Sequence, residues 1–239
     1  MTHPGSQGWA VENWVVPPRP ALAAMQGDWV RLEPMDAHAH AGELHSAFAG
    51  HTALWDYMPY GPFATVDAYH DWTKTSASGP DPVYFVLRDQ ATGLCGGVAS
   101  YLNIVPTHGS IEVGNICYAP SVQQASLATE AMFLMMDWAF GAGYRRYEWK
   151  CNALNLPSHR AAGRLGFSFE GIFRQHMVVK GRNRDTAWFA ITDGDWPALR
   201  AAYLTWLAPG NFDAAGRQKL RLSDLTSGLR MASDPAVGS

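Results

Sequence analysis

With 239 residues, 47% of them hydrophobic and 12% aromatic, the chain can bury one sizeable core without dividing into two domains. A formal net charge of −3 supplies no basic field for a phosphate polymer, which disfavours nucleic acid as a partner. Cys95, Cys117 and Cys151 form no CxxC pair, and an odd number spread over predicted strands reads as reduced thiols in a cytoplasmic protein.

Residues 1–20 lack the basic region and apolar run of a secretory signal. Pro17, Pro18 and Pro20 instead make an extended arm, mobile or laid across the surface, because each fixes φ and removes a donor. No span approaches the roughly 18 apolar residues of a membrane helix, so no membrane partner is expected.

Residues 29–34 alternate apolar and polar like a half-buried strand, and 37–49 carry helical spacing. An aromatic-rich stretch, 51–63, precedes a second helix over 65–75 that the Thr65 hydroxyl is suited to cap. Two strands, 83–88 and 94–102, flank a turn in which Gly93 supplies a positive φ. Pro120 stops the next strand, 110–118.

Over residues 124–140, Leu127, Ala131, Leu134, Met135 and Trp138 share one helix face, and Gly141 and Gly143 end the helix. A strand at 144–151 and a short helix at 157–165 follow, then an antiparallel pair, 169–179 and 185–191, around a turn at 180–183. Residues 195–207 read as an added helix, whereas 210–239 have weak periodicity and either wrap another surface or fray. Strand-rich halves interrupted by single helices predict a mixed α/β sheet rather than a doubly wound one.

Three segments carry a family resemblance: Ala128-Thr129-Glu130-Ala131, the stretch from Asn155 through Leu165-Gly166-Phe167, and the run from Phe169-Glu170-Gly171 to Arg184-Asp185-Thr186. In this order they resemble the acyl-CoA core of the GCN5-related N-acetyltransferases, most strongly the RimJ/RimL-like branch, from about residue 29 to about 196. The resemblance implies a mostly antiparallel twisted sheet with flanking helices and a splayed strand pair at the cofactor cleft. It divides the chain into an arm (1–22), an acetyltransferase domain (23–208) and a tail (209–239).

Acetyl-CoA is the implied cosubstrate, with no metal. Its pyrophosphate needs converging backbone N–H donors at a helix N-terminus. The family forms that cradle from Gln or Arg, Gly, and Gly or Ala, and the matching positions hold Gln123, Ser126 and Ala128, with Leu127 and Thr129 between and after them. Ser126 departs from the pattern; its hydroxyl either donates to a phosphate oxygen or its Cβ crowds the cofactor. By the same resemblance Asn115, Ile116, Cys117 and Tyr118 present backbone to the pantetheine arm, Asn155 holds a pantetheine amide or carbonyl, and Ser158 lies near the thioester or diphosphate. Asn155 suits a helix N-cap equally well.

Acyl transfer to an amine requires a neutral amine, donors for the oxyanion and, in some cases, a proton for the leaving thiolate. Glu112 stands on the strand where family members place the base; the alternative is a solvated or ion-paired strand glutamate. Ala162 occupies the position of the family's usual Tyr acid, which leaves Ser158, Tyr118, Cys151 or solvent, or no acid at all. Cys151 as an acyl-carrying nucleophile competes with its reading as a small buried apolar residue.

Among the nine histidines, His38, His40 and His45, and the pair His159 and His176, show no metal-binding spacing, and a structural or surface role is expected. Glu148 and Lys150 alternate with Trp149 and are placed to face an acceptor pocket. The branch likeness implies a protein or peptide N-terminal α-amine as acceptor. A small amine or antibiotic, or a non-catalytic acyl-CoA sensor, are the alternatives, and nothing in the sequence excludes a homodimer.

Overall fold

Side-chain alternation along the strands decides the layers. The computed structural model describes residues 8–237; residues 1–7 of the expected arm lie outside that range. Eight strands form one sheet: β1 (Met25–Gln26), β2 (Val30–Pro34), β3 (Val83–Asp89), β4 (Cys95–Val105), β5 (Ser110–Tyr118), β6 (Arg146–Asn152), β7 (Ser168–Val179) and β8 (Arg182–Thr192). Their order is β1-β2-β3-β4-β5-β6-β8-β7. The β5–β6 pair is parallel and every other neighbouring pair is antiparallel.

Six α-helices accompany the sheet among the described residues: α1 (Ala37–Phe48), α2 (Val66–Ser76), α3 (Ser126–Gly141), α4 (Leu156–Arg164), α5 (Trp196–Leu207) and α6 (Leu222–Thr226). On β3, Val83, Phe85 and Leu87 enter the cluster packed with α3, while Tyr84 and Val86 enter a second cluster with Leu44 of α1 and Tyr69 of α2. Period-two alternation therefore feeds two cores, and a continuous apolar run is what a strand covered on both faces needs.

Helix starts follow local capping chemistry. Asp36 Oδ1 accepts from the Ala39 N–H at 2.8 Å to begin α1, and Thr65 Oγ1 accepts from the Ala68 N–H at 3.2 Å to begin α2, as its hydroxyl predicts. The helix expected from residue 124 starts instead at Ser126, because Gln124 takes a left-handed φ of 62° that no helical turn tolerates. The turn expected over 180–183 shrinks to Lys180 and Gly181, both at positive φ, so Arg182 and Asn183 belong to β8. Two central residues at positive φ match the twist of a tight hairpin.

Both chain ends are packed where they are described. Tyr144 Oη donates to the Pro18 carbonyl at 3.0 Å, and Arg19 donates to the carbonyls of Ile104 and Pro80, which lays the arm across the sheet end. Beyond α5, Leu222 and Thr226 are fully buried, and the Phe169 N–H donates to the Ala232 carbonyl, so this part of the tail wraps α4 and β7.

Glu130, from the motif that carried the resemblance, serves the fold. Its carboxylate accepts the N–H groups of Asp28 (2.7 Å), Trp29 (2.7 Å) and Val30 (2.8 Å), which ties the β1–β2 corner to α3. Gly27 is required beside it, because a Cβ there would lie 2.3 Å from that carboxylate.

Candidate active site

Parallel pairing between β5 and β6 runs from Ser110↔Arg146 to Val113↔Trp149 and then stops. The cause lies in β5: Ser100 pairs with Gly114 but Val98 with Cys117, so one extra residue is inserted there, and Asn115 takes a left-handed φ of 52°. Asn is among the few non-glycine residues that adopt this conformation readily. Its Nδ2 donates to Ser100 Oγ at 2.9 Å, which fixes the kink. The strands splay beyond it, and a cavity of about 540 Å³ opens between them.

Gly114, Asn115 and Ile116 line the cavity from β5, and Lys150, Cys151 and Asn152 from β6. Tyr57, Met58 and Pro59 roof it, the aromatic-rich loop being anchored by Tyr57 Oη on the Leu154 carbonyl (3.1 Å) and by Lys180 Nζ on the Trp55 carbonyl (2.9 Å). His176, Met177, Arg184, Thr186 and Trp188 of the β7–β8 hairpin close the far wall.

Glu112 stands on β5 just before the splay and lines the cavity, although only 5% of it is exposed. Asn103 Nδ2 (2.6 Å) and Lys150 Nζ (2.8 Å) both bind its Oε2. Oε1 has neither contact and remains open to a proton. Burial pushes the carboxyl above the ordinary glutamate range, and the Lys150 ammonium and Asn103 amide draw it only part of the way back. Lys150 Nζ also contacts Glu148 Oε2 at 2.8 Å and lies 3.9 Å over the Trp188 ring. Burial works to raise Glu148 too, but hydrogen bonds from Lys150 and Arg146 outweigh it and hold Glu148 low. Of two neighbouring carboxylates, Glu112 is therefore the one shifted toward holding a proton, and Glu148 the one shifted away from it.

Asn155 and Ser158 both line the cavity. Asn155 is the N-cap of α4, where its Oδ1 accepts from the Ser158 N–H at 3.2 Å, leaving Nδ2 uncommitted. Trp149 Nε1 donates to Ser158 Oγ at 3.0 Å, so the hydroxyl proton points away from Trp149, and the hydroxyl lies beside the Cys151 thiol. Cys151 is buried, and burial pushes its thiol up to about 11, which opposes a thiolate nucleophile at neutral pH. Cys117 is likewise buried, with its thiol raised to about 12. Tyr118 does not line the cavity, and its hydroxyl is buried without a hydrogen-bond partner among the described residues.

The expected diphosphate cradle lies apart from this cavity. Gln123 Nε2 braces the turn by donating to the Tyr118 carbonyl at 2.9 Å. Ala125, the N-cap of α3, offers no side-chain cap, so the leading N–H groups of Ser126 and Leu127 are uncommitted donors suited to an anion. Ser126 and Ala128 are half-buried at this end. Leu127 and Thr129 turn their side chains inward; Leu127 joins the core and Thr129 Oγ1 accepts from Arg164, so only their backbone faces a ligand. The donor set thus fits a diphosphate.

Asn103, Arg184, Thr186 and Trp188 had no site role assigned from the sequence, since no spacing joins Asn103 on β4 to the three residues on β8. His176, expected in a structural or surface role, lines the cavity and contacts Thr186 Oγ1 at 3.0 Å. His40 is buried, as expected of a structural histidine; its Nδ1 accepts from the Asp36 N–H, so Nε2 carries the proton shared with Glu33. Glu33, His40 and Cys95 bring ligand atoms within 4.8 Å of one another, but Glu33 is already taken up by the Arg88 guanidinium and the His40 Nε2–H, which makes them a hydrogen-bond network around an ion pair.

The family model described as "Acetyltransferase (GNAT) domain" matches residues 30–168. A GCN5-related N-acetyltransferase from Brucella melitensis is similar at 45% identity and a TM-score of 0.88, over 90% of this chain and 99% of that one. A probable acetyltransferase of the GNAT family from Chromobacterium violaceum is similar at 38% identity and a TM-score of 0.77, over 83% and 100%. RimL, a ribosomal L7/L12 alpha-N-protein acetyltransferase solved with coenzyme A, shares the fold at 20% identity and a TM-score of 0.62, over 72% and 99%. No curated protein matches the chain. The matched domain, the mixed sheet and the splayed strands agree: the chain belongs to the GNAT family of acetyltransferases.

Proposed function

We propose that the protein transfers the acetyl group of acetyl-CoA to a primary amine, an N-terminal α-amine of a protein or peptide, by direct attack in a ternary complex. The observation that carries this reading is Glu112, a buried carboxylate lining the cavity at the strand splay, with one oxygen engaged and the other without a hydrogen-bond partner among the described residues. The acceptor ammonium loses a proton to Glu112, directly or through water, and the neutral amine attacks the thioester carbonyl. Ser158, whose oxygen already accepts from Trp149, donates toward the departing sulfur. The uncapped N-terminus of α3 holds the diphosphate, and acetyl-CoA supplies the activated acyl group.

Thiol release from acetyl-CoA, measured against a panel of peptides, amino acids and amine antibiotics, tests the acceptor class. Initial-rate plots that intersect are expected of a ternary complex. Parallel lines, with acetyl recovered on Cys151, would replace direct attack by a covalent route. Turnover confined to antibiotics would overturn the α-amine acceptor.

A further inference from the structure

We infer that the acceptor carries an anionic oxygen group, a carboxylate in the simplest case, and that Arg184 and Trp188 of β8 bind it. This rests on the amine-acetylation reading and narrows its substrate class.

Arg184, Thr186 and Trp188 alternate on β8, so their side chains fall on one face, and all three line the cavity. Thr186 is satisfied by His176. The other two are not: Arg184 Nε and Trp188 Nε1 are both buried without a hydrogen-bond partner among the described residues. Stranding a buried donor is costly, so two on one wall of a ligand cavity mark a place where ligand acceptors complete the structure.

Charge points the same way. Lys150 is matched by Glu112 and Glu148, and Arg184 enters none of the ion pairs among the described residues. The neighbouring carboxylate, Asp185, instead accepts from the Gln175 N–H (2.7 Å) and Asn183 Nδ2 (2.9 Å). Arg184 is thus an unmatched cation at the wall. A guanidinium and an indole N–H are donors without acceptor capacity, so they select an oxygen anion over an amide or a second ammonium. The diphosphate is a poor candidate for this place, because Gln123, Ser126 and Ala128 of its cradle do not line the cavity.

Two carboxylate sources share this chemistry: the α-carboxylate of a free amino acid, and the acidic side chain of an N-terminal Asp in a peptide. The test compares kcat/KM for glycine with glycinamide, and for Asp-led with Asn-led peptides, in the wild type, Arg184→Met and Trp188→Phe. In at least one pair the wild type should favour the carboxylate about tenfold or more, the scale of a charge-assisted hydrogen bond. That ratio should collapse toward one in Arg184→Met and fall partly in Trp188→Phe.

A readout independent of turnover is calorimetric titration of the CoA-loaded protein with the corresponding N-acetylated compounds. The carboxylates should bind more tightly than the amides, and Arg184→Met should erase the difference. If no amine is acetylated yet this binding preference stands, the amine-acetylation reading fails while the anion subsite survives. No preference in either assay overturns the inference, as does a rise in KM for acetyl-CoA without a change in the carboxylate-to-amide ratio.

Discussion

Two glutamates, Glu130 on α3 and Glu112 on β5, are buried to nearly the same degree, 4% and 5% exposed, yet their surroundings differ in kind. Glu130 spends both oxygens on three backbone N–H groups of the 28–30 corner. Glu112 lines the cavity, takes two contacts on Oε2 and leaves Oε1 without a partner among the described residues. A buried charge whose acceptor capacity is filled holds structure together, whereas one with an open oxygen in a cleft is available for proton transfer. Coordination separates the two, and burial alone does not.

Substitution of each should move a different observable. Glu130→Ala strands three backbone donors at about 1–3 kcal/mol each, so a loss on the order of 3 kcal/mol or more is expected. In a chain of this size that lowers Tm by roughly 10 °C, measurable by thermal melting. A melt within two degrees or so of wild type would mean that solvent replaces Glu130 at the corner.

Glu112→Gln keeps the shape and removes the proton acceptor, so kcat should fall by about a hundredfold or more while acetyl-CoA binding holds. Steady-state rates beside calorimetry separate these effects. Equal losses in both would make Glu112 a support for the cleft rather than its base.

Lys150→Met sharpens the assignment through pH. Activity requires ionised Glu112, so the rate falls as pH drops through its already raised pKa. Removing the ammonium takes away a charge that favours the ionised form, so the acidic limb should move to higher pH. Stability has its own sign: a carboxyl raised by folding contributes most below its unfolded pKa, and that contribution is lost as pH rises through the folded value. A limb that stays in place, or moves down, would assign the titration to another group.

The smallest effect is expected at Ser126, in the cradle. If its hydroxyl reaches a phosphate oxygen, Ser126→Ala should weaken CoA binding by up to about 1.5–3 kcal/mol. If its Cβ only crowds the cofactor, Ser126→Gly should tighten binding, offset in part by added backbone freedom. Calorimetry with CoA reads the difference by sign.

Most of the order of strands and helices was legible in the sequence because it depends on local pattern: alternation in β2, a capping hydroxyl at Thr65, and glycines after α3. Boundaries slipped where one backbone angle overrode the pattern, at Gln124 ahead of α3 and at Lys180-Gly181 between β7 and β8. Glu112, Asn155 and Ser158 were found through family resemblance, and the fold brings all three to one cavity. Asn103 and Trp188 carried no such signal, and Arg184 belonged to a resemblance segment without a site role, because each reaches the cavity only through strand register.

What the sequence determined by itself is the inventory of the longer elements, without β1 and α6, and the residue types capable of acyl-transfer chemistry, since propensity, capping and side-chain period act over a few residues. Only the tertiary structure decided which glutamate is filled and which is open, because hydrogen-bond saturation depends on partners far apart in the chain: the Asp28 N–H for Glu130, and Asn103 and Lys150 for Glu112. It also decided that Asn115 kinks β5 and parts it from β6, and that Arg184 faces the resulting space without a carboxylate. A strand's alternation says which residues share a face, but the identity of whatever lies opposite is set by sheet order and packing.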